Sequence, residues 1–223
     1  MLPWIKLDET TVPGGGVLKL MQRGSEFSIM SGTTELMNSR LSGSEEQLAT
    51  LSAARLAGRK APRVLIGGLG MGFTLRAALA SFGEDAELVV AELVPAVIAW
   101  ARGPLTPIHG TSLDDPRVRL HAGDVAAAIA AGPPWDAILL DVDNGPGGLS
   151  RPGNDRLYSP AGLAAAHARL VPGGHLAVWS SHRDEKFTRR LHQAGFAVEE
   201  VAVRATRSGK GARHTIWFAT RPR

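Results

Sequence analysis

From residue 63 onward, short apolar runs alternate with alanine-rich segments, and this alternation constrains the fold more than any other feature of the chain. The runs are rich in β-branched residues and apolar at consecutive positions, which is typical of strands covered on both faces. Such strands, alternating with helices, predict a parallel sheet with a helical layer on each side. Five runs follow one another in this way: RVLIGG, AELVVAEL, RVRLHAG, WDAILLDV and GHLAVWSS.

The last two strand-like segments, GFAVEEVAVRA and RHTIWFATRP, have no helical segment between them. Strands joined by a short connection pair antiparallel, because a parallel pair needs a long crossover. We therefore expect these two strands to pair antiparallel at the edge of the sheet. The predicted fold is an α/β protein with a doubly wound, mostly parallel seven-stranded sheet.

The first 60 residues differ in texture from the rest of the chain. VLKLMQRG and EFSIMSGTTELMN alternate apolar and polar residues around RGSE, which predicts a β-hairpin or short meander, and SEEQLATLSAARLAG predicts a helix that stops at Gly58. The chain thus divides into an N-terminal hairpin and helix, residues 1–60, and a sheet domain, residues 61–223. An isolated hairpin is marginally stable in water, so we expect a homodimer joined partly through residues 17–40.

Composition excludes several classes of protein. The chain has no cysteine and no run of about 20 apolar residues, so thiolate metal sites and a membrane span are not expected. The N-terminal MLPWIKLDET lacks the basic and apolar regions of a signal peptide, which favours a cytoplasmic location. The histidines show no metal-ligand spacing, so no metal is expected.

The net charge of +4 invites a nucleic-acid interpretation, which the distribution of the charge does not favour. The excess of basic residues falls late, in the segment 204–213 and at the C-terminal end, without interleaved aromatic residues. Such spaced charges are typical of a solvated loop, so nucleic acid is an unlikely partner.

The turn after the first strand of the sheet, GGLGMGF, is rich in glycine. Ligands of doubly wound sheets bind beyond the carboxyl ends of the strands, where glycine lets the backbone approach them closely. Gly68, Gly70 and Gly72 are therefore predicted to bind a nucleoside together with the amides that open the next helix. Glu92 ends the following strand about 20 positions later, where a carboxylate accepts hydrogen bonds from both ribose hydroxyls.

The glycine spacing favours adenosine without a pyrophosphate, because the third glycine of a dinucleotide fingerprint is replaced by Phe73. Asp124 follows the third strand, where its carboxylate can accept from the adenine amine. Asp141 ends the fourth apolar run, so partial desolvation suits it to proton transfer or to holding an ammonium group. Asp143 lies beside the same crevice but points to the opposite side if the strand continues.

These motifs, in this order, resemble the class I S-adenosylmethionine-dependent methyltransferase fold and, within it, the spermidine synthase-like group. The resemblance covers roughly residues 17–220. VLIGGLGMGFTLRAAL is similar to the glycine turn of that group, AELVP to its ribose-binding acid, and Gly123-Asp124 to its adenine contact. LLDVDNGP is similar to its aspartate-rich catalytic loop, and LYSPAGLAAAHARLVPGGHLAVWSS to its helix–turn–strand. The resemblance implies S-adenosylmethionine or its decarboxylated form as co-substrate, a small-molecule acceptor and a dimer.

The chain departs from the aminopropyltransferase pattern of that group at several positions. Gly70 stands where those enzymes carry an acid that holds the amino group of the decarboxylated donor. Asn144 stands three positions after Asp141, where they carry a second aspartate. SEEQLA, with Glu45 and Glu46, replaces their Tyr-His-Glu entrance. These changes imply an altered polyamine pocket.

The sequence thus predicts a transferase in which an acceptor attacks the carbon next to the sulfonium, with Asp141 as base or amine-orienting group. The acid missing at Gly70 favours methyl transfer to a small molecule. The alternatives are a polyamine aminopropyltransferase that uses decarboxylated S-adenosylmethionine, a non-catalytic nucleoside-binding module, and a nucleic-acid methyltransferase that uses the basic loop. The predicted substrate contacts are Glu35, which corresponds to a glutamine after the hairpin of that group, with Asp143, Asn144 and the only tyrosine, Tyr158.

Overall fold

The computed structural model describes residues 2–142, 145–146 and 154–223, which form two sheets and their surrounding helices. The larger sheet has seven strands in the order β10-β11-β9-β8-β5-β6-β7. β5, β6, β7, β8 and β9 are parallel, and β11 pairs antiparallel with both β9 and β10. The strands are β5 (Arg63–Gly67), β6 (Glu87–Glu92), β7 (Val118–Ala122), β8 (Trp135–Leu140), β9 (Leu170–Ser180), β10 (Ala197–Arg204) and β11 (Arg213–Thr220).

Helices cover both faces of this sheet, because its central strands direct buried apolar side chains to both sides. One face packs with α1 and α2 around Ile66 and Leu139, and the other packs with α5, α6 and α7 around Leu65 and Ile138. The predicted seven-stranded α/β fold is therefore confirmed. The helices are α1 (Gly43–Arg55), α2 (Phe73–Ser81), α3 (Pro95–Arg102), α4 (Thr106–His109), α5 (Val125–Ala130), α6 (Pro160–Arg169) and α7 (Glu185–Gln193).

The N-terminal region forms a four-stranded antiparallel sheet, which is larger than the predicted hairpin or short meander. The additional strand, β1, is exposed along most of its length, so it lacks the buried apolar pattern that reveals a strand in sequence. The strands are β1 (Ile5–Thr11), β2 (Val17–Arg23), β3 (Glu26–Ser31) and β4 (Thr34–Asn38).

This small sheet packs against the rest of the same chain. Leu20, Phe27 and Ile29 are buried in the hydrophobic cluster that also contains Val94 and Val97, at the start of α3. The apolar face of the hairpin is therefore covered within one chain, which removes the physical reason for expecting a dimer through that face. No helix in the described part of the chain is long and apolar enough to cross a membrane.

The glycine turn between β5 and α2 packs against a buried histidine. His109, at the end of α4, donates a hydrogen bond from Nε2 to the Gly70 carbonyl oxygen at 3.3 Å, and burial lowers the pKa of this ring. Gly72 has a φ of +76°, and a Cβ atom there would lie 2.4 Å from His109 Cε1. The third glycine of the turn is thus required both by its backbone conformation and by the ring beneath it.

We predict that Gly72→Ala lowers the free energy of unfolding by about 2 to 4 kcal/mol, since left-handed strain and a clash with His109 add together. Gly58→Ala, after the end of α1, is the matched control. Gly58 has a φ of +81° and no neighbouring heavy atom within 4 Å of a Cβ position, so this change should cost only about 1 kcal/mol. Urea unfolding of both variants measures the difference, and equal losses would contradict the packing of His109 against the turn.

Candidate active site

Two adjoining clefts open at the carboxyl ends of β5, β6 and β8, where the order of the parallel strands reverses. The Glu92 cleft is lined by Gly68, Glu92, Gly123 and Asp124, and its empty space is about 790 Å³ including open solvent. The Glu45 cleft is lined by Glu45, the glycine turn and Trp179, and its empty space is about 680 Å³ on the same measure. The two clefts share Leu36, Met37, Gly70, Asp141 and Val142.

The glycine turn lies directly against the segment that follows β8. Gly68 has a φ of +90°, and a Cβ atom there would lie 2.4 Å from the Asp141 carbonyl oxygen. The Asp141 amide in turn donates to the Gly67 carbonyl at 3.0 Å. Only glycine fits this approach, which brings the turn and Asp141 to one edge of the sheet, as the sequence pattern predicts for strand ends.

Glu92 is buried at the end of β6, with 8% of its surface exposed. Its carboxylate accepts hydrogen bonds from the Leu69 amide at 2.9 Å and the Val94 amide at 2.8 Å. Burial raises the pKa of Glu92 although these amides favour its ionised form. An ionised carboxylate has about four acceptor positions, so two remain for hydroxyl groups of a ligand in the cleft.

Asp124 caps α5 and lines the outer part of the Glu92 cleft. Its Oδ1 accepts from the Ala126 amide at 2.8 Å, and the residue is exposed. A carboxylate that caps a helix with one oxygen can still accept a hydrogen bond from a ligand with the other. The geometry of Asp124 is therefore compatible with the predicted adenine contact as well as with its helix-capping role.

Asp141 follows β8 at the junction of the two clefts. Its Oδ2 accepts a hydrogen bond from Thr74 Oγ1 at 2.7 Å, and Thr74 belongs to the first turn of α2. Burial raises the pKa of Asp141 to about 6. A partly buried carboxylate with a pKa close to neutral is suited to accept a proton or to pair with a cation.

Glu45 lies in the first turn of α1, within the segment SEEQLA that replaces the Tyr-His-Glu entrance, and it was not among the predicted site residues. The Ser44 hydroxyl donates to its Oε2 at 2.7 Å. Burial and the charge of Asp141 raise the pKa of Glu45 to about 7. The sequence contains only two adjacent acids at a helix start, a pattern that also suits the helix dipole. Glu46 takes that solvent-facing role, because its carboxylate pairs with Arg207.

The remaining predicted contacts lie elsewhere. Glu35 is outside both clefts, where its carboxylate accepts from Ser28, Asn38 and Arg40 at 2.8, 2.8 and 3.2 Å. An ion pair with Arg40 thus occupies the side chain that was expected to contact substrate. Tyr158 is buried in the core behind the sheet, and its ring packs edge-on against Phe187 with centroids 5.6 Å apart.

Asp143 and Asn144 lie outside the described residues, so their predicted roles stay predictions. Within residues 2–142, 145–146 and 154–223, no three histidine, aspartate or glutamate side chains are grouped so as to hold a metal ion.

Comparison with known proteins supports the resemblance seen in the motifs. No family model matches the chain. The polyamine aminopropyltransferase of Mycobacterium tuberculosis is 37% identical over 119 residues, covering 52% of this chain and 22% of the relative. The polyamine aminopropyltransferase of a Synechococcus species is 27% identical over 159 residues, covering 66% of this chain and 48% of the relative. The chain therefore spans less than half the length of these relatives.

Solved structures share the fold over nearly the whole chain. Spermidine synthase from Thermotoga maritima matches with a TM-score of 0.74 and 16% identity, covering 97% of this chain and 72% of that one. A probable spermidine synthase from Corynebacterium glutamicum matches with a TM-score of 0.63 and 16% identity, covering 92% and 77%. The class of the protein is thus the class I methyltransferase-like α/β fold. Within that class its neighbours in structure and sequence are spermidine synthases and polyamine aminopropyltransferases, as the motifs predict.

The two raised carboxyl pKa values predict how stability depends on pH. Because the folded chain keeps protons on Glu45 and Asp141 that the unfolded chain releases, their contribution is complete below about pH 4 and is lost as pH rises through 6 to 7. Glu45→Gln cannot ionise. We expect it to match the wild type near pH 4 and to exceed its free energy of unfolding by about 1 to 3 kcal/mol at pH 8.

Urea unfolding between pH 4 and 8 measures this effect, with Glu46→Gln as the control. Although burial opposes the shift, Arg207 lowers the pKa of Glu46, so loss of that charge should not stabilise the protein at pH 8. A Glu45→Gln variant less stable than the wild type at pH 8 would contradict the burial of this carboxylate.

The geometry of Glu92 predicts that Glu92→Gln weakens the binding of methylthioadenosine about tenfold or more, because hydroxyl donors lose a charged acceptor. The control is Glu87→Gln at the opposite end of the same strand, where the carboxylate pairs with Arg63 at 2.6 Å outside both clefts. Calorimetric titration measures both variants, and thermal unfolding checks that they are folded. Equal affinity in Glu92→Gln and the wild type would exclude Glu92 as the ribose acceptor.

Proposed function

We propose that the chain transfers an aminopropyl group from decarboxylated S-adenosylmethionine to a small amine. The observation that carries this proposal is the charge of the Glu45 cleft. Among its described lining residues are two acids, Glu45 and Asp141, and no lysine, arginine or histidine. The tail of S-adenosylmethionine carries a carboxylate that would meet these acids without a cation, whereas the decarboxylated tail carries only an ammonium group.

The nucleoside part of the donor fits the Glu92 cleft. Its ribose hydroxyls would donate to Glu92, its adenine amine to Asp124, and the backbone of Gly68 and Gly70 would lie against it. The sulfonium then falls at the junction of the clefts beside Asp141, and the tail extends into the Glu45 cleft. The adjoining clefts support this arrangement because they share Gly70 and Asp141.

The reaction is a displacement in which the acceptor nitrogen attacks the carbon next to the sulfonium. The C–N bond forms as the C–S bond breaks, the sulfur keeps the electron pair, and methylthioadenosine leaves as a neutral thioether. The acceptor nitrogen loses one proton, which Asp141 accepts. A carboxyl pKa of about 6 suits this step near neutral pH, and Thr74 holds the carboxylate in place.

Methyl transfer to an amine is the second candidate, and the observation that favours it is the glycine at position 70. The expectation of methyl transfer rested on the acid missing there. The similarity to polyamine aminopropyltransferases and spermidine synthases and the two acids of the Glu45 cleft support aminopropyl transfer instead. Since the chain spans less than half of those relatives, its donor and acceptor are proposals throughout.

Self-association also stays a proposal, with a different surface from the one first expected. Leu2, Ile5 and Leu7 of the N-terminal segment are exposed, and β1 is an edge strand of its sheet. A second copy of the chain would cover these apolar side chains.

We predict that Asp141→Asn lowers turnover by about 10² to 10⁴-fold, because the proton acceptor is lost, and leaves methylthioadenosine affinity within about tenfold. Turnover is measured with decarboxylated S-adenosylmethionine and with S-adenosylmethionine as donors, each with a panel of small diamines that includes putrescine. Release of methylthioadenosine reports aminopropyl transfer, and release of S-adenosylhomocysteine reports methyl transfer.

The control is Asp114→Asn, an exposed acid outside both clefts, which should turn over like the wild type. Turnover with S-adenosylmethionine but not with its decarboxylated form would indicate methyl transfer and contradict the proposed reaction. Nucleoside binding without turnover on any acceptor would favour a binding module, and unchanged turnover in Asp141→Asn would remove the proposed base.

A further inference from the structure

Binding of the nucleoside and removal of the acceptor proton do not explain why the Glu45 carboxylate lies in the cleft. It is a carboxylate on α1 that lines the cleft proposed for the donor tail, whereas its neighbour Glu46 does not line that cleft and pairs with the exposed Arg207. We propose that Glu45 holds the ammonium group of the donor's aminopropyl chain and thereby selects the decarboxylated donor. This inference rests on the proposed function and names the residue that decides its donor.

A hydrogen-bonded chain behind Glu45 fixes its carboxylate. Ser44 is fully buried and donates to Glu45 Oε2 at 2.7 Å. The same hydroxyl lies 2.9 Å from His214 Nδ1, and the His214 ring packs edge-on against Trp179, with centroids 4.9 Å apart. Trp179 also lines the cleft. A carboxylate held in this way keeps its remaining acceptor positions for a cation and loses little rotamer freedom on binding one.

The glycine turn does not supply an acid at this end of the cleft. A Cβ atom on Gly70 would lie 2.7 Å from Met37 Sδ and 3.3 Å from Met37 Cε. The thioether of Met37, on β4, thus occupies the space beside the turn that a larger side chain would need. The negative charge of the cleft comes from α1 and from the end of β8 instead.

The charges around Glu45 leave it available for a ligand. Glu46, the next residue, accepts hydrogen bonds from Arg207 Nε at 2.7 Å and from Arg207 Nη2, so this arginine is engaged by the neighbouring acid. The other ionisable group that acts on Glu45 within the cleft is Asp141, also an acid. Two half-buried acids without a cation among the described lining residues are complementary to an ammonium group and repel a carboxylate.

The experiment compares three nucleosides by calorimetric titration: decarboxylated S-adenosylmethionine, methylthioadenosine and S-adenosylmethionine. Methylthioadenosine lacks the ammonium group, so the ratio of its affinity to that of the decarboxylated donor isolates the contribution of that group. The variants are Glu45→Gln, the neighbouring Glu46→Gln as a matched control, and Ser44→Ala, which leaves the carboxylate but removes its anchor. Thermal unfolding establishes that each variant is folded.

We expect the wild type to bind the decarboxylated donor at least about tenfold more tightly than methylthioadenosine. Glu45→Gln should abolish this preference, leave the affinity for methylthioadenosine unchanged, and raise the affinity for S-adenosylmethionine several-fold. A merely structural defect would not raise the affinity for S-adenosylmethionine. Ser44→Ala should reduce the preference partially, and Glu46→Gln should keep it.

Two results overturn the inference while the proposed function stands: a wild type that binds both decarboxylated donor and methylthioadenosine equally, or a Glu45→Gln variant that keeps the preference of Glu46→Gln. An unchanged donor preference combined with a raised acceptor KM in Glu45→Gln would also overturn it, because Glu45 would then hold the acceptor. If the wild type binds none of the three nucleosides, the proposed function fails and this inference fails with it.

Discussion

The two hydrogen bonds to the buried Glu92 carboxylate are the interaction on which the site depends. One of them joins the Leu69 amide, within the glycine turn, to the end of β6, and the other joins the Val94 amide to the same carboxylate. The glycine turn and the end of β6 are therefore held together at one edge of the sheet. An unpaired buried carboxylate would be costly, and the turn amides would be unsatisfied without it. This edge sets where Gly70 lies, and thereby where Met37 and His109 pack on its two sides.

The N-terminal sheet and α1 turn an open sheet edge into an enclosed site. Leu36 and Met37 of β4 line both clefts, and Glu45 of α1 forms the far wall of one. Burial is the largest cause of the raised carboxyl pKa values of Glu45 and Asp141, and the charge of Asp141 raises the pKa of Glu45 further. Both acids lie in a cleft that residues of this cover help to line.

The negative charge of such a site excludes ligand carboxylates as much as it attracts ligand cations. A ligand carboxylate loses its hydration on entry and meets acids with no described cation to compensate, whereas an ammonium group exchanges hydration for charged acceptors. The position of the acid along the chain matters less than its position in the cleft. An acid on α1 and a glycine in the turn yield a charge pattern that the sequence of the turn alone does not reveal.

The sequence by itself determined the fold and the strand-end part of the site. The strand–helix alternation fixes the parallel sheet, and the carboxyl ends of parallel strands meet at one edge, so Gly68, Glu92 and Asp141 were predictable as neighbours. Only the tertiary structure decided which other side chains face that edge. Glu45 enters the cleft although it lies 96 positions before Asp141 in the sequence, while Glu35 pairs with Arg40 and Tyr158 packs in the core. Local patterns fix backbone elements, but the direction of a polar side chain depends on partners that only packing brings within hydrogen-bond distance.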